Sequence, residues 1–269
     1  MNKILLAVTT YNQLKYTQIF YKSFKQLDSN LCDLVIFDDC STDETVTWCE
    51  ENNIKVITKQ KGKGLTDSWN LAYKYFKQHE YEYFIIANND ILIPKGAIEE
   101  LRAIIDRWPG SMVTPLTTEI GCGHNKLQNV DLYYGKQNSY DDHTHYQNVQ
   151  DSIIRLKNKL STNEGNNNLY QVDPIRMKLF NGFFFMMSKK ICQYEREDKN
   201  LFNPEYINIK NEDMFNWDNL LSNDDNVFLF MTSFIFHFKG VSFTKAGISY
   251  SNNLEEHLKQ RENKLNTTK

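Results

Sequence analysis

Residues that break regular structure are scarce in this chain. It has 5 Pro and 11 Gly among 269 residues, too few for long flexible linkers. Cysteine is scarce as well: the 5 Cys stand at 32, 40, 49, 122 and 192, none forms a Cys-x-x-Cys pair, and the number is odd. That pattern argues against a disulfide framework or a zinc ribbon and for a reducing, cytoplasmic setting. Neither charge sign dominates. The formal net charge is −3, so bulk charge does not advertise nucleic-acid binding, and an anionic ligand must be held by local groups or a metal. Long hydrophobic runs are absent too. Phe183 to Met187 and Val227 to Met231 are among the longest, against the roughly 20 residues of a transmembrane segment. The apolar opening, Ile4 to Val8, is shorter than a signal-peptide core.

What is present is an ordinary globular balance of 41% hydrophobic and 24% charged residues, in a chain long enough for one large or two small domains. Ile4 to Val8 reads as a buried strand, and Leu14 to Leu27 has the apolar spacing of a helix. Leu34 to Phe37 is a second strand. Ser41 and Glu44 have the spacing of a capping box for a helix reaching about Asn52. Lys55 to Thr58 is a third strand, Lys59 to Gly64 a basic loop, Thr66 to about Lys77 a helix, and Tyr83 to Ala87 a fourth strand. Pro94 suits the first turn of a helix ending near Trp108. Ser111 to Pro115 is a fifth strand. This alternation predicts an α/β fold with a parallel sheet covered on both faces, whose ligands lie beyond the carboxyl ends of the strands.

From Gly121 to Val172 the regularity fails. The stretch is rich in Asn, Gln, Asp and Tyr and reads as a polar insertion or lid, with a helix over about 146–160 inside it. Phe183 to Ser188 is strand-like again, a helix starts near Asn211, Val227 to Phe238 supplies more strand, and the tail from Leu254 is polar.

Polar clusters fall where the ligand should lie. Thr9-Thr10-Tyr11, Asp38-Asp39 and Asn88-Asn89-Asp90 all end predicted strands. Asn-Asn-Asp is an ordinary turn sequence, but it is also an oxygen-rich tip that presents a hard cation to a phosphate. Asp38 and Asp39 exceed what a complete capping box needs, and carboxylates there can bind a nucleotide's base edge and ribose hydroxyls. Glu212 and Asp213 follow Asn211, a good N-cap. They serve either as helix-start carboxylates or as a base in a cleft.

Val8-Thr9-Thr10-Tyr11-Asn12 followed by Phe37-Asp38-Asp39-Cys40-Ser41-Thr42-Asp43 resembles the opening of the family 2 glycosyltransferases with the GT-A fold. The likeness continues through Gly62-Lys63-Gly64 with Asn70, and through Asn88-Asn89-Asp90 at the place of an Asp-x-Asp metal motif. It then takes in Asn181-Gly182-Phe183, Glu212-Asp213, and His237 to Ser242. The Asn-Asn-Asp variant is similar to that of rhamnosyltransferase-like members.

The resemblance implies a Rossmann-like, mainly parallel central sheet flanked by helices, in a single GT-A domain over 1–269. Residues 1–115 would form the nucleotide-binding half, 121–172 the insertion, 173–250 the acceptor and catalytic half, and 251–269 a polar tail. It implies an inverting transferase that takes a sugar from a nucleoside-diphosphate sugar. The acceptor would be a hydroxyl of a glycan or of a lipid-linked or protein-linked saccharide. Tyr11 would lie against the base, and Asp39 would bind base or ribose. Thr9, Asp38, Asn70, Asn88 and Asn89 would complete the donor site, and Lys61 or Lys63 would reach the diphosphate unless that loop is simply solvated. Asp90 would be the main ligand of Mn²⁺ or Mg²⁺. His237 is either a second ligand, favouring Mn²⁺, or a satisfied core histidine. Asp213, beside Glu212, would be the general base. Two other readings use the same residues: a nucleotidyltransferase, and a non-catalytic glycan- or nucleotide-binding protein on a decayed transferase scaffold.

Overall fold

The computed structural model describes residues 4–60, 64–118, 129–130, 169–171, 182–204 and 227–238. In chain order these residues form β1 (Ile4–Thr10), α1 (Leu14–Phe24), β2 (Cys32–Asp38), α2 (Thr45–Glu51) and β3 (Lys55–Thr58). Next come α3 (Leu65–Gln78), β4 (Tyr83–Asn88), β5 (Ile91–Leu92), α4 (Ala97–Arg107) and β6 (Met112–Thr118). The short strands β7 (Asn129–Val130) and β8 (Leu169–Gln171) precede β9 (Phe184–Ser188), a 3₁₀ turn at Lys189–Tyr194, β10 (Val227–Phe234) and β11 (Phe236–His237).

The main sheet has the order β3-β2-β1-β4-β9-β6-β10-β8, with β7 beside β6. The first four of these strands run parallel. The sheet, expected to be mainly parallel, takes in two antiparallel strands. β9 enters antiparallel between β4 and β6, and β8 runs antiparallel to β10. The sheet is therefore mixed but mainly parallel. The polar stretch after Gly121 contributes β7 and β8 to it. The rest of that stretch, including the helix expected over 146–160, lies outside the described residues, as do the helix expected from Asn211 and the polar tail.

Strand alternation builds two apolar layers from one set of strands. Leu5, Ala7, Val35, Phe37, Phe84, Ile86, Phe185 and Met187 pack on one face with Trp69, Ala72, Tyr73 and Phe76 of α3. Ile4, Leu6, Val8, Ile36, Ile85, Phe184 and Met186 pack on the other with Phe20 of α1, Cys49 of α2 and Ile98, Leu101 and Ile105 of α4. Near-continuous apolar runs such as Ile4 to Val8 and Phe84 to Ala87 follow from coverage on both faces. Burial pushes the Cys32 and Cys49 thiols up to about 12, and the four cysteines at 32, 40, 49 and 192 are free. No helix among the described residues is long and apolar enough to cross a membrane.

Two loop expectations change. Pro94 precedes α4 rather than opening it, in a turn whose Pro94 carbonyl accepts from Ala97 N at 3.3 Å. The Ser41–Glu44 capping box does not form, since Glu44 makes no side-chain cap to α2. Asp43 takes that role, accepting from Thr45 N at 3.1 Å and Thr45 Oγ1 at 2.5 Å. Ser41 instead accepts from Asn12 N at 2.6 Å. Asn12 Oδ1 accepts in return from Thr42 N at 2.7 Å and Asp43 N at 3.2 Å, and Asp43 Oδ2 accepts from Leu14 N at 3.2 Å. The loops after β1 and β2 are thus laced together by residues about thirty positions apart. Three left-handed backbones lie in these loops: Asn12 (φ 56°), Gln13 (φ 66°) and Cys40 (φ 65°).

Asn12→Ala removes the acceptor shared by Thr42 N and Asp43 N. It should destabilise the fold by about 1–2 kcal/mol, the scale of a lost cap. A urea midpoint equal to wild type would show that the lacing carries no stability.

Candidate active site

Register places the polar strand ends along one edge of the sheet. Thr10 pairs with Asp38, Asp38 with Thr58, and Thr9 with Asn88. Tyr11 lies just beyond. At 40% exposure it is the exposed large apolar side chain among the described residues, which leaves its ring available for stacking.

Asp38 and Asp39 have different surroundings. Asp38 is fully buried. Its Oδ2 accepts from Ser41 N at 2.9 Å, while Oδ1 has no hydrogen-bond partner. Burial raises its carboxyl above the ordinary aspartate value, against the opposing pull of hydrogen bonds from Ser41. Asp39 is less enclosed, its side chain 14% exposed. Its Oδ1 lies 2.5 Å from Lys59 Nζ, and its Oδ2 accepts from Gly64 N at 3.1 Å. Gly64 has φ 87°, a backbone that glycine adopts without steric cost.

The Asn-Asn-Asp tip divides its work. Asn89 is buried and donates to Thr10 Oγ1 at 3.1 Å and Thr17 Oγ1 at 3.0 Å, tying β4 to β1 and α1. Asn88 and Asp90 meet His237, which β11 brings in by pairing with Ile91 of β5. The His237 Nε2 atom lies 3.1 Å from Asp90 Oδ1 and 3.3 Å from Asn88 Nδ2. Phe183 stacks on the imidazole, with ring centroids 5.1 Å apart and 14° between planes. Phe183 O also accepts from Asn88 N, and Asp90 O accepts from Phe238 N, each at 2.9 Å.

This donor set suits a divalent ion. Carboxylate, amide oxygen and imidazole are ligands that Mn²⁺ accepts. Adjacent donors, each about 2.1 Å from such an ion, stand roughly 3 Å apart. Asn88 Oδ1 is buried with no partner, and an amide's O and N exchange by a half-turn. No group of three or more His, Cys, Asp or Glu side chains gathers among the described residues, so Asp90 is the one carboxylate in this set.

Other expected site residues brace the scaffold. Thr9 Oγ1 donates to Ala87 O at 3.4 Å. Asn70 is buried on α3, where its amide clamps Phe202, donating to Phe202 O and accepting from Phe202 N, each at 2.9 Å. Lys61, Lys63, Glu212 and Asp213 lie outside the described residues. Lys59 opens the basic loop that runs to Gly64, yet its side chain is 7% exposed. Its partners Asp39 and Asp67 lie on β2–α2 and α3, and no local spacing announces them.

The raised Asp38 carboxyl has a pH signature. A carboxyl whose folded value exceeds its unfolded value, about 4, favours folding below that value and loses the contribution as pH rises through the folded value. Asp38→Asn has no such titration. Its stability relative to wild type should therefore improve from about pH 3 to about pH 7, read by urea denaturation at each pH. A constant difference would show that ionised Asp38 costs the fold nothing.

The fold has counterparts among solved structures. S. aureus TarS 1–349 matches with a TM-score of 0.55 and 16% identity, over 87% of this chain and 60% of that one. GalNAc-T7, solved with UDP, GalNAc and Mn²⁺, matches with a TM-score of 0.57 and 12% identity, over 88% of this chain and 44% of that one. The mannosyltransferase PcManGT from Pyrobaculum calidifontis, solved with GDP-Man and Mn²⁺, matches with a TM-score of 0.53 and 12% identity, over 91% and 59%. The chain thus spans 60% or less of the length of these structures. At such identities the likeness is one of fold. No curated protein matches the sequence. The glycosyl transferase family 2 profile matches residues 6–192, well over half of the chain. With the Thr-Tyr-Asn, Asp-Asp and Asn-Asn-Asp strand ends on one sheet edge inside that span, the chain belongs to glycosyl transferase family 2.

Proposed function

We propose that the chain is an inverting glycosyltransferase that moves a sugar from a nucleoside-diphosphate sugar to a hydroxyl of a glycan-type acceptor. The observation that carries this reading is the convergence of Tyr11, Asp39 and the Asn88–Asp90–His237 cluster on one edge of a mainly parallel sheet. Fold relatives solved with UDP or GDP-Man and Mn²⁺ support a nucleotide-sugar donor and a divalent ion.

Tyr11 stacks on the base, and Asp39 accepts hydrogen bonds from base or ribose. Asp90 and His237, with Asn88 beside them, would hold Mn²⁺ or Mg²⁺, and Lys63 would supply positive charge to the diphosphate. When bound, the divalent ion supplies positive charge to the diphosphate leaving group. Asp213 accepts the proton of the acceptor hydroxyl, whose oxygen bonds to the anomeric carbon from the face opposite the leaving group, inverting that centre. Holding donor and acceptor in line supplies much of the rate, since orientation converts a bimolecular step into an effectively unimolecular one.

Incubation with a panel of nucleoside-diphosphate sugars tests this reading. Slow release of free sugar and nucleoside diphosphate, lost in excess EDTA and restored by Mn²⁺ or Mg²⁺, is the expected result. Full turnover in EDTA would remove the ion from the site. Exchange with added pyrophosphate, giving nucleoside triphosphate and sugar 1-phosphate, would indicate a nucleotidyltransferase, and binding without turnover a non-catalytic protein.

Asp213→Asn keeps the side chain's size but not its basicity. Transfer should fall by about 10²–10⁴-fold, the usual worth of a positioned general base, while nucleotide affinity measured by calorimetry stays within about threefold, or 0.7 kcal/mol. Near wild-type transfer would move the role to Glu212. Equal loss of nucleotide binding would assign Asp213 to the donor side.

A further inference from the structure

We propose that Lys59 is a positioning residue for the donor site, holding the Asp39 carboxylate where it meets the nucleotide. This rests on the reading of Asp39 as a ligand of base or ribose. Lys59 follows β3 directly, and its backbone is fixed to the Asp38–Cys40 turn. Its N–H donates to Asp38 O at 3.0 Å, and its carbonyl accepts from the Cys40 thiol at 3.0 Å. The side chain then turns inward, 7% exposed.

An ammonium has three hydrogens to place. Lys59 has three acceptors for them: Asp39 Oδ1 at 2.5 Å, Asp67 Oδ2 at 3.0 Å and Gly64 O at 3.1 Å. Asp39 Oδ2 accepts from Gly64 N. Each carboxylate oxygen of Asp39 is therefore held by a different donor, and the plane of the carboxylate is set. Gly64 contributes both its N–H and its carbonyl, so the same contacts fix the end of the Lys59–Gly64 loop and the start of α3.

The charge arrangement has a directional meaning. Without the ammonium, Asp39 and Asp67 would face one another as like charges in a half-buried site, and Asp39 would turn away. A pair required only for stability gains little from such burial, because desolvation offsets the attraction. Here the pair sits on the strand-end edge with Asp39 partly open to solvent. An ionised carboxylate accepts about four hydrogen bonds, so a nucleotide's donor can join Lys59 and Gly64 on it. The ammonium faces Asp39, Asp67 and Gly64 O, which makes it a support for the carboxylate rather than a phosphate ligand.

Calorimetry with UMP, UDP, GMP and GDP on the full chain tests this, using K59M, D39N and D39N/K59M. K59M should weaken the preferred diphosphate by about 10- to 100-fold, the scale of a charge-assisted hydrogen bond. It should weaken the matching monophosphate by the same factor. The double variant should bind no worse than D39N, because both changes remove one interaction. Wild-type affinity in K59M, additive losses in the double variant, or a loss confined to the diphosphate would each overturn the assignment. If K59M alone does not fold, D39N/K59M, which relieves the facing carboxylates, is compared with D39N, and a further loss beyond about threefold overturns it. A wild-type chain that binds none of the four probes overturns the donor reading and this inference with it. Wild-type binding with an unaffected K59M overturns this inference alone.

Discussion

The strand-end edge depends on the lacing of two loops. Asn12 accepts from the backbone of 42 and 43, Ser41 accepts from the backbone of 12, and Asp43 accepts from the backbone of 14. Gln13 and Cys40 hold left-handed backbones that cost on the order of 1 kcal/mol each for residues bearing a Cβ. Such turns persist only where their surroundings over-determine them. Here the result is a fixed exit for Tyr11 from β1 and for Asp39 from β2. Asn12, Ser41 and Asp43 of the family-like motifs are thus the frame for their neighbours.

The same separation of frame and presentation recurs along the edge. Asp38, the last residue of β2, is enclosed and holds the turn, whereas Asp39 beside it is partly open and pairs with Lys59. Asn89 is spent on Thr10 and Thr17, whereas Asn88 and Asp90 approach His237. Alternating residues thus meet different environments, which is the strand's period of two carried into a binding edge.

Much of this was readable in sequence because its cause is local. β3 was expected at Lys55 to Thr58 and lies there, and β1, β2 and β4 differ from expectation by a few terminal residues. Buried parallel strands write themselves as unbroken apolar runs. The misreadings have non-local causes. Ser41 and Glu44 had the spacing of a capping box, but Asn12 competes for the same loop from about thirty residues away. The antiparallel entry of β9 leaves no mark in a segment that reads simply as a strand. Nothing near Lys59 distinguishes a buried ammonium from a solvated one, because Asp39 lies on another element. The approach of His237 to Asp90 likewise needs the β5–β11 ribbon, which pairs residues far apart in the chain.

The position of β9 bears on how such a chain can be divided. β4 and β6 belong to the first 118 residues, yet within the sheet they meet through β9, which comes from residues 184–188. A fragment ending at β6 would carry two open strand edges facing a gap, the arrangement that invites edge-to-edge association. The seam between the first 118 residues and the later ones therefore runs through the middle of the sheet and is crossed by hydrogen bonds on both sides. Recombination that exchanged one portion for a foreign one would have to match that central strand residue for residue. Variation in what such a protein recognises is accommodated far more readily in the loops at the strand ends than by swapping halves.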